Sequence, residues 1–211
     1  MGRLEPIEGY VLAGGASRRF GEDKALAILG GEFMLARMCR LLDKAVEGGA
    51  VVCPRSRYET SMSLEKLPKL EDRWPGEGPL GGILTALHNT KETRGGAWNL
   101  ILGCDMPFLT VDWLAFLCER ARFSESEVVV PQSDHGLEPL CACWRTSAAP
   151  KIQSQFDGGV RKVTEAMKQL HVEVLDEKEW KRFDTTGRLF WNMNTVEDYE
   201  EARRVIAMEN S

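Results

Sequence analysis

Phosphate chemistry is the first thing the residue types and spacing of this chain suggest. The run Leu12-Ala13-Gly14-Gly15-Ala16-Ser17-Arg18-Arg19-Phe20-Gly21-Glu22-Asp23-Lys24 opens at the end of an apolar stretch, Gly9–Ala13. Gly14 and Gly15 allow the backbone to approach phosphate oxygens, to take up positive φ and to present N–H groups as an anion nest. Ser17 adds a hydroxyl donor, and Arg18, Arg19 and Lys24 add charge that Glu22 and Asp23 partly offset. The run matches neither common nucleotide fingerprint. Five residues separate Gly15 from Gly21 where a P-loop has four, and Gly14 and Gly15 are adjacent where the dinucleotide motif interposes a residue. A bare Gly-Gly would read as a turn among solvated charges. With Ser17, Arg19, Gly21 and Lys24 downstream, phosphate binding is the better reading.

Three further polar loops follow apolar runs. In Gly103-Cys104-Asp105-Met106-Pro107, Asp105 stands just past a hydrophobic segment. There it could cap a helix or hold a hard cation such as Mg2+, which prefers one or two carboxylates plus phosphate oxygens and waters. Beside a phosphate loop, the metal ligand is the stronger reading. Glu71-Asp72 precedes Gly78-Pro79-Leu80-Gly81-Gly82, whose glycines at a helix start would let a flat ring or a phosphate lie close to backbone donors. Asp72 could meet a sugar hydroxyl or a base edge, or be an exposed loop acid. In Asn192-Met193-Asn194-Thr195, Asn194 could cap a helix or aim its amide at a metal or substrate.

The elements that must position these loops read as alternating short apolar runs and amphipathic stretches, the pattern of a mainly parallel sheet with crossover helices. Strands are expected at Gly9–Ala13, Ala50–Cys53, Leu67–Leu70, Ala97–Gly103, Val128–Val130, Leu140–Trp144 and Val172–Leu175. Helices are expected over Phe33–Ala45, Gly78–Asn89, Val111–Arg122, Thr146–Phe156, Val160–Leu170 and from Asn194-Thr195 to about Ala207. Every functional loop then follows a strand, and ligands of open α/β sheets sit beyond the strand carboxyl ends.

The 211 residues suit one α/β domain, and 43% hydrophobic with 28% charged residues is a globular composition. A net charge of −5 gives no global field for nucleic acid or an anionic membrane, so a polyanion must be held by local donors. With no apolar run near bilayer length and no signal-peptide core at the start, a cytoplasmic protein is expected. The six cysteines read as reduced and buried, and Cys141-x-Cys143 lacks a second pair for zinc. The histidines have no ligand spacing, His88 reads as a surface or core residue, and the six tryptophans read as packing residues.

Taken together, these motifs resemble the molybdenum cofactor guanylyltransferases, the MobA family, over residues 10–200 and in the right order. The family pattern L-A-G-G-x-S-x-R-x-G-x-D-K is met at Leu12, Ala13, Gly14, Gly15, Ser17, Arg19, Gly21, Asp23 and Lys24. Gly78–Ile83 is similar to G-P-L-x-G-I, Cys104–Pro107 to C-D-x-P, and Asn192–Thr195 to N-x-N-T-P, with Val196 in place of the proline. The resemblance implies a single domain, 1–211, of Rossmann-like nucleotidyltransferase fold. Its N-terminal half would bind GTP through residues 12–15, Ser17, Lys24, Asp72, Gly78, Pro79, Leu80, Gly81 and Asp105, and its C-terminal half would bind molybdopterin near Pro139, Arg161, Lys162, Asn192 and Asn194.

The same resemblance implies Mg2+ on Asp105, with Lys24 and Arg19 stabilising the phosphates while GMP passes to molybdopterin and pyrophosphate leaves. Implied partners are other cofactor-biosynthesis proteins and apo-molybdoenzymes. Two rivals remain at this level. Cytidylyl transfer would be accompanied by L-A-A-G in the first loop and no G-P-L-x-G-I. A cofactor-escort protein would need the phosphate cradle but not Asp105.

Overall fold

The computed structural model describes residues 6–14, 23–55, 67–93 and 95–209. The described elements run β1 (Ile7–Leu12), β2 (Ile28–Leu29), β3 (Glu32–Phe33), α1 (Met34–Ala45), β4 (Gly48–Cys53), β5 (Lys69–Glu71), α2 (Pro79–Thr93) and β6 (Trp98–Leu102). They continue with α3 (Val111–Phe123), β7 (Val128–Ser133), β8 (Gly136–Leu137), β9 (Cys141–Arg145), α4 (Ala149–Asp157), α5 (Val163–Met167), β10 (Val172–Leu175), α6 (Glu177–Trp180) and α7 (Val196–Glu209).

Among the described residues, the main sheet has the order β10-β7-β9-β6-β1-β4-β5, with β8 paired to the end of β7. The pairs β5/β4, β4/β1, β1/β6 and β7/β10 are parallel, while β9 runs antiparallel to both β6 and β7. The sheet is therefore mostly parallel, as the alternating pattern predicts. Strand residues alternate between two cores, as a period of two requires. Val11, Val51, Leu100, Leu102 and Val129 face α1, α3 and α7, whereas Tyr10, Val52, Ile101, Val130 and Trp144 face α2, α4 and α5. From β1 the chain crosses over α1 to β4, then returns through α2 to β6 on the other side of β1. The strand order thus switches direction between β1 and β6, and open α/β sheets bind their ligands beyond the strand carboxyl ends at such a switch.

Helix α1 has no side-chain N-cap and is held by its apolar face: Met34, Leu35, Met38, Leu41 and Leu42 are buried. Each such side chain stabilises the fold by about 1.5–3 kcal/mol relative to exposure. The β2–β3 hairpin was not expected from the sequence. Its turn is Gly30-Gly31, with φ of 61° and 81°, the left-handed pair that a two-residue hairpin loop demands. The helix expected over 146–156 is split into a 3-10 turn, Thr146–Ala148, and α4, because Pro150 is tolerated only in a first helical turn. The helix expected over 160–170 shortens to α5, since Gly159 has φ of 93° and Lys162 is its extended N-cap. No helix among the described residues is long and apolar enough to cross a membrane.

Close approach fixes one glycine in the parallel core. A Cβ on Gly49 would lie 2.1 Å from the backbone oxygen of its register partner Gly9, whereas a Cβ on Gly9 meets only the side chains of Leu42 and Val46. Side chains can yield more easily than a paired backbone. Gly49→Ala is expected to lower unfolding stability by about 3 kcal/mol, and Gly9→Ala by less, when both are compared by urea denaturation.

Candidate active site

At the end of β1 the ladder runs one residue further, as Ala13 donates its N–H to Val52 O at 2.9 Å, and Gly14 emerges exposed. Gly15, Ser17, Arg19 and Gly21 lie outside the described residues. The chain is described again from Asp23, whose Oδ1 accepts the Ala25 N–H at 3.1 Å and starts a 3-10 turn over Lys24–Leu26. That turn holds Lys24 half-buried, with its Nζ donating to Asn194 Oδ1 at 2.8 Å.

Asp105 follows β6 in a loop tied down from three directions. Gly103 N–H donates to Leu140 O at 2.8 Å, Met193 N–H donates to Asp105 O at 2.7 Å, and Arg37 Nε donates to Pro107 O at 2.7 Å. A Cβ on Gly103 would come within 2.8 Å of Asp105 Oδ1, so the carboxylate folds back over a position that needs no side chain. Asp105 Oδ1 is buried and accepts no hydrogen bond; the other buried side-chain polar atom without a partner among the described residues is the donor Trp98 Nε1. Burial pushes the Asp105 carboxyl above its ordinary range, and the Lys24 charge partly opposes the rise. A buried oxygen without a donor is the feature a hard cation would satisfy. Among the described residues no three His, Cys, Asp or Glu side chains gather into a cage. One carboxylate completed by phosphate oxygens and waters fits Mg2+.

The other reactive side chains are occupied or inert. Burial, and next the Asp105 charge, push the Cys104 thiol well above its ordinary value. Cys141, pushed up to about 12 by burial, receives Trp113 Nε1–H at 3.3 Å. His88 sits on α2 with its Nε2 at 3.1 Å from Gln153 Oε1 on α4.

The 71–82 loop is built differently from the expectation. Asp72 Oδ1 accepts Trp74 N–H at 3.0 Å and the Thr85 hydroxyl at 3.1 Å, which ties the loop onto α2. Gly78, at φ 85°, makes the turn into Pro79 at the start of α2, and both are exposed. Leu80 is fully buried in the core, and a Cβ on Gly81 would meet Trp74 Cβ at 3.1 Å. A side chain at position 81 would therefore crowd Trp74.

In the C-terminal half, Pro139 O accepts Trp144 Nε1–H at 3.2 Å. Arg161 pairs with Glu77 at 2.5 Å, donates to Phe156 O at 2.6 Å and lies 3.9 Å over the Phe156 ring, so it fastens the 71–82 loop to the α4–α5 connection. Lys162 is exposed beside it. Asn192 Nδ2 donates to Glu138 Oε2 at 3.3 Å, and buried Glu138 also receives the Ser133 hydroxyl at 2.6 Å.

Contacts thus bring Lys24, Asp105 and the 192–195 segment together. Asp72 and Arg161 are committed to each end of the 71–82 loop, and Asn192 faces Glu138. Asn194 is not the cap of α7. Thr195 takes that place, with its Oγ1 accepting Asp198 N–H at 3.1 Å while Asp198 Oδ2 accepts Thr195 N–H at 2.8 Å. Asp198 was missed from the sequence, although Thr195-x-x-Asp198 is the spacing of a capping box.

Residues 9–172 match the MobA-like NTP transferase domain. The chain is 28% identical over 200 residues to a probable molybdenum cofactor guanylyltransferase of Bacillus cytotoxicus, covering 94% of this chain and 96% of that one. It is 29% identical over 203 residues to one of Bacillus cereus strain Q1, covering 95% and 98%. Among solved structures it resembles molybdopterin-guanine dinucleotide biosynthesis protein A from Archaeoglobus fulgidus, with a TM-score of 0.82, 24% identity and coverage of 95% and 99%. That likeness shows a shared α/β nucleotidyltransferase fold. With Lys24 and Asp105 inside the matched span and the 192–198 segment packed onto them from outside it, the chain belongs to the MobA-like NTP transferase domain family.

Proposed function

We propose that the chain is a Mg2+-dependent guanylyltransferase that passes GMP from GTP to molybdopterin and releases pyrophosphate. The observation that carries this reading is the buried, donor-less Oδ1 of Asp105 within electrostatic reach of Lys24, at the strand-order switch between β1 and β6. The names of the full-length relatives speak of guanylyl transfer to the molybdenum cofactor, and the motif resemblance supplies GTP and molybdopterin as the substrate pair.

In the reaction, a terminal phosphate oxygen of molybdopterin attacks the α-phosphorus of GTP in line. A new P–O bond forms as the bond to the β-phosphate oxygen breaks and pyrophosphate leaves. The nucleophile is already anionic near neutral pH, so no base is required, in keeping with a protonated Cys104 and a His88 engaged by Gln153. The barrier is repulsion between anions. Lys24 places positive charge against it, held by Asn194 from one side. Asp105 would hold Mg2+, whose chemistry is Lewis-acid neutralisation of phosphate charge. The exposed Gly78 and Pro79 at the start of α2 offer an edge for the base.

Asp105→Ala is expected to lower pyrophosphate release at least a hundredfold, since one lost electrostatic group costs about 10²–10³ in turnover. Its Tm should be unchanged or higher, because a buried unpaired oxygen is removed. Near-normal turnover would take Asp105 out of the mechanism. In a thermal-shift titration, Mg2+ with GTP should raise the Tm of the wild-type chain and leave that of Asp105→Asn nearly unmoved.

Nucleotide choice is tested by pyrophosphate release from molybdopterin with GTP, CTP, ATP and UTP in turn. GTP should be turned over fastest; a clear preference for CTP would overturn the guanylyl assignment.

A further inference from the structure

The amino-terminal end of α7 carries more hydrogen bonding than a helix cap needs. Capping is complete once Thr195 Oγ1 accepts Asp198 N–H at 3.1 Å and Asp198 Oδ2 accepts Thr195 N–H at 2.8 Å. The same Oδ2 accepts a second N–H at 2.8 Å, from Asn194, which lies one residue outside the helix cap. That contact fixes the backbone from which the Asn194 amide reaches Lys24 Nζ, also at 2.8 Å and 170 residues away in the chain. On the other side of Asn194, Met193 donates its N–H to Asp105 O at 2.7 Å. Three consecutive residues, Met193 to Thr195, are thus stretched between Asp105 and Asp198, and the middle one holds the lysine.

A lysine side chain is long and rich in rotamers. An ammonium held in advance loses less of that freedom when it meets phosphates. Asp198 is suited to a lasting role of this kind. Burial alone would raise its carboxyl, but the Asn194 and Thr195 N–H groups, with the Lys24 charge behind them, hold it below the ordinary range. It therefore remains an acceptor at neutral pH.

We propose that Asp198 is a positioning residue for nucleotidyl transfer, acting through the Asn194 backbone to set the Lys24 ammonium within reach of Asp105. The inference rests on the guanylyl-transfer reading above for its activity readout. The test is steady-state pyrophosphate release from GTP and molybdopterin by wild type, Asp198→Ala, Asp198→Asn, Asn194→Ala and the Asn194→Ala/Asp198→Ala double variant. Asp198→Ala should lose tenfold to a hundredfold in kcat/KM, and the double variant should be no more than about twofold worse than the weaker single, as residues acting in series are not additive. Asp198→Asn, whose amide oxygen can accept the same N–H groups, should recover most of the loss.

Asp176→Ala removes the comparable capping box of α6. It should lower Tm by a similar few degrees with unchanged kcat/KM, separating helix capping from positioning. Wild-type kcat/KM in Asp198→Ala, or multiplicative losses in the double variant, would overturn the proposal. A crystal structure of Asp198→Ala decides independently of any substrate. Loss of the Lys24–Asn194 contact is expected, and its retention would overturn the proposal. Absence of pyrophosphate release by the wild type would instead overturn the substrate reading and leave the crystallographic outcome to judge Asp198.

Discussion

A carboxylate oxygen buried without a hydrogen-bond donor sets the terms for the rest of this molecule. Leaving such a group unsatisfied costs about 1–3 kcal/mol, and here the group is Asp105 Oδ1, at the end of a strand whose five residues are all buried. The surroundings hold it in place. Position 103 has no side chain to displace it, Met193 pins its carbonyl, and Arg37 pins the carbonyl of Pro107 two residues on. A loop held this firmly around an unpaired acceptor is preorganised for a cation, and the lysine charge nearby offsets only part of the cost of burial.

Topology decides where that constraint falls. Because the chain lays down β1, β4 and β5 in one direction and then returns to place β6 on the other side of β1, helices α1 and α2 cover opposite faces. The carboxyl ends of β1 and β6 are left side by side. Strand β9, running antiparallel against β6, brings Leu140 beside Gly103 and Glu138 toward Asn192. The reversed strand is what carries the C-terminal half up to the same edge. Close packing elsewhere serves this arrangement, as where Gly82 lets α2 approach Leu12 and Gly81 accepts Trp74.

Much of this was legible in the sequence for a simple reason. Asp105 stands out as a charged residue just after a buried run and Lys24 as the cation that ends the glycine-rich run after another, and a buried strand announces itself by continuous apolar composition. The strand positions, the long helices and the carboxyl-edge location follow from the same signal. What was hidden depends on partners remote in the chain. The spacing of Gly81 and Gly82 suggests backbone open to a ligand, and only the fold shows that Trp74 and Leu12 also pack against them. The resemblance places Arg161 near the molybdopterin site, and its partner Glu77, 84 residues away, has no sequence signature. Gly30-Gly31 was a local hairpin signal that went unread beside the more conspicuous helix after it. Asp198 lay in a readable capping box, but its second bond, to Asn194, has no sequence signature.

The two carboxylates around Lys24 show how one lysine can serve two ends. Asp105 sits where burial raises its carboxyl above the ordinary range and the Lys24 charge opposes part of the rise. Asp198 sits where two N–H groups favour its charged form, whatever else is bound. The first carboxylate is left with an oxygen unpartnered, and the second is fully engaged at the helix end. Lys24 stands between them through Asn194, fixed at the engaged end and electrostatically coupled to the unpartnered one. In a chain with a net charge of −5, a polyanionic substrate is attracted by no overall field. Its recognition then depends on keeping a few cations aimed, which is the task the α7 end performs for Lys24.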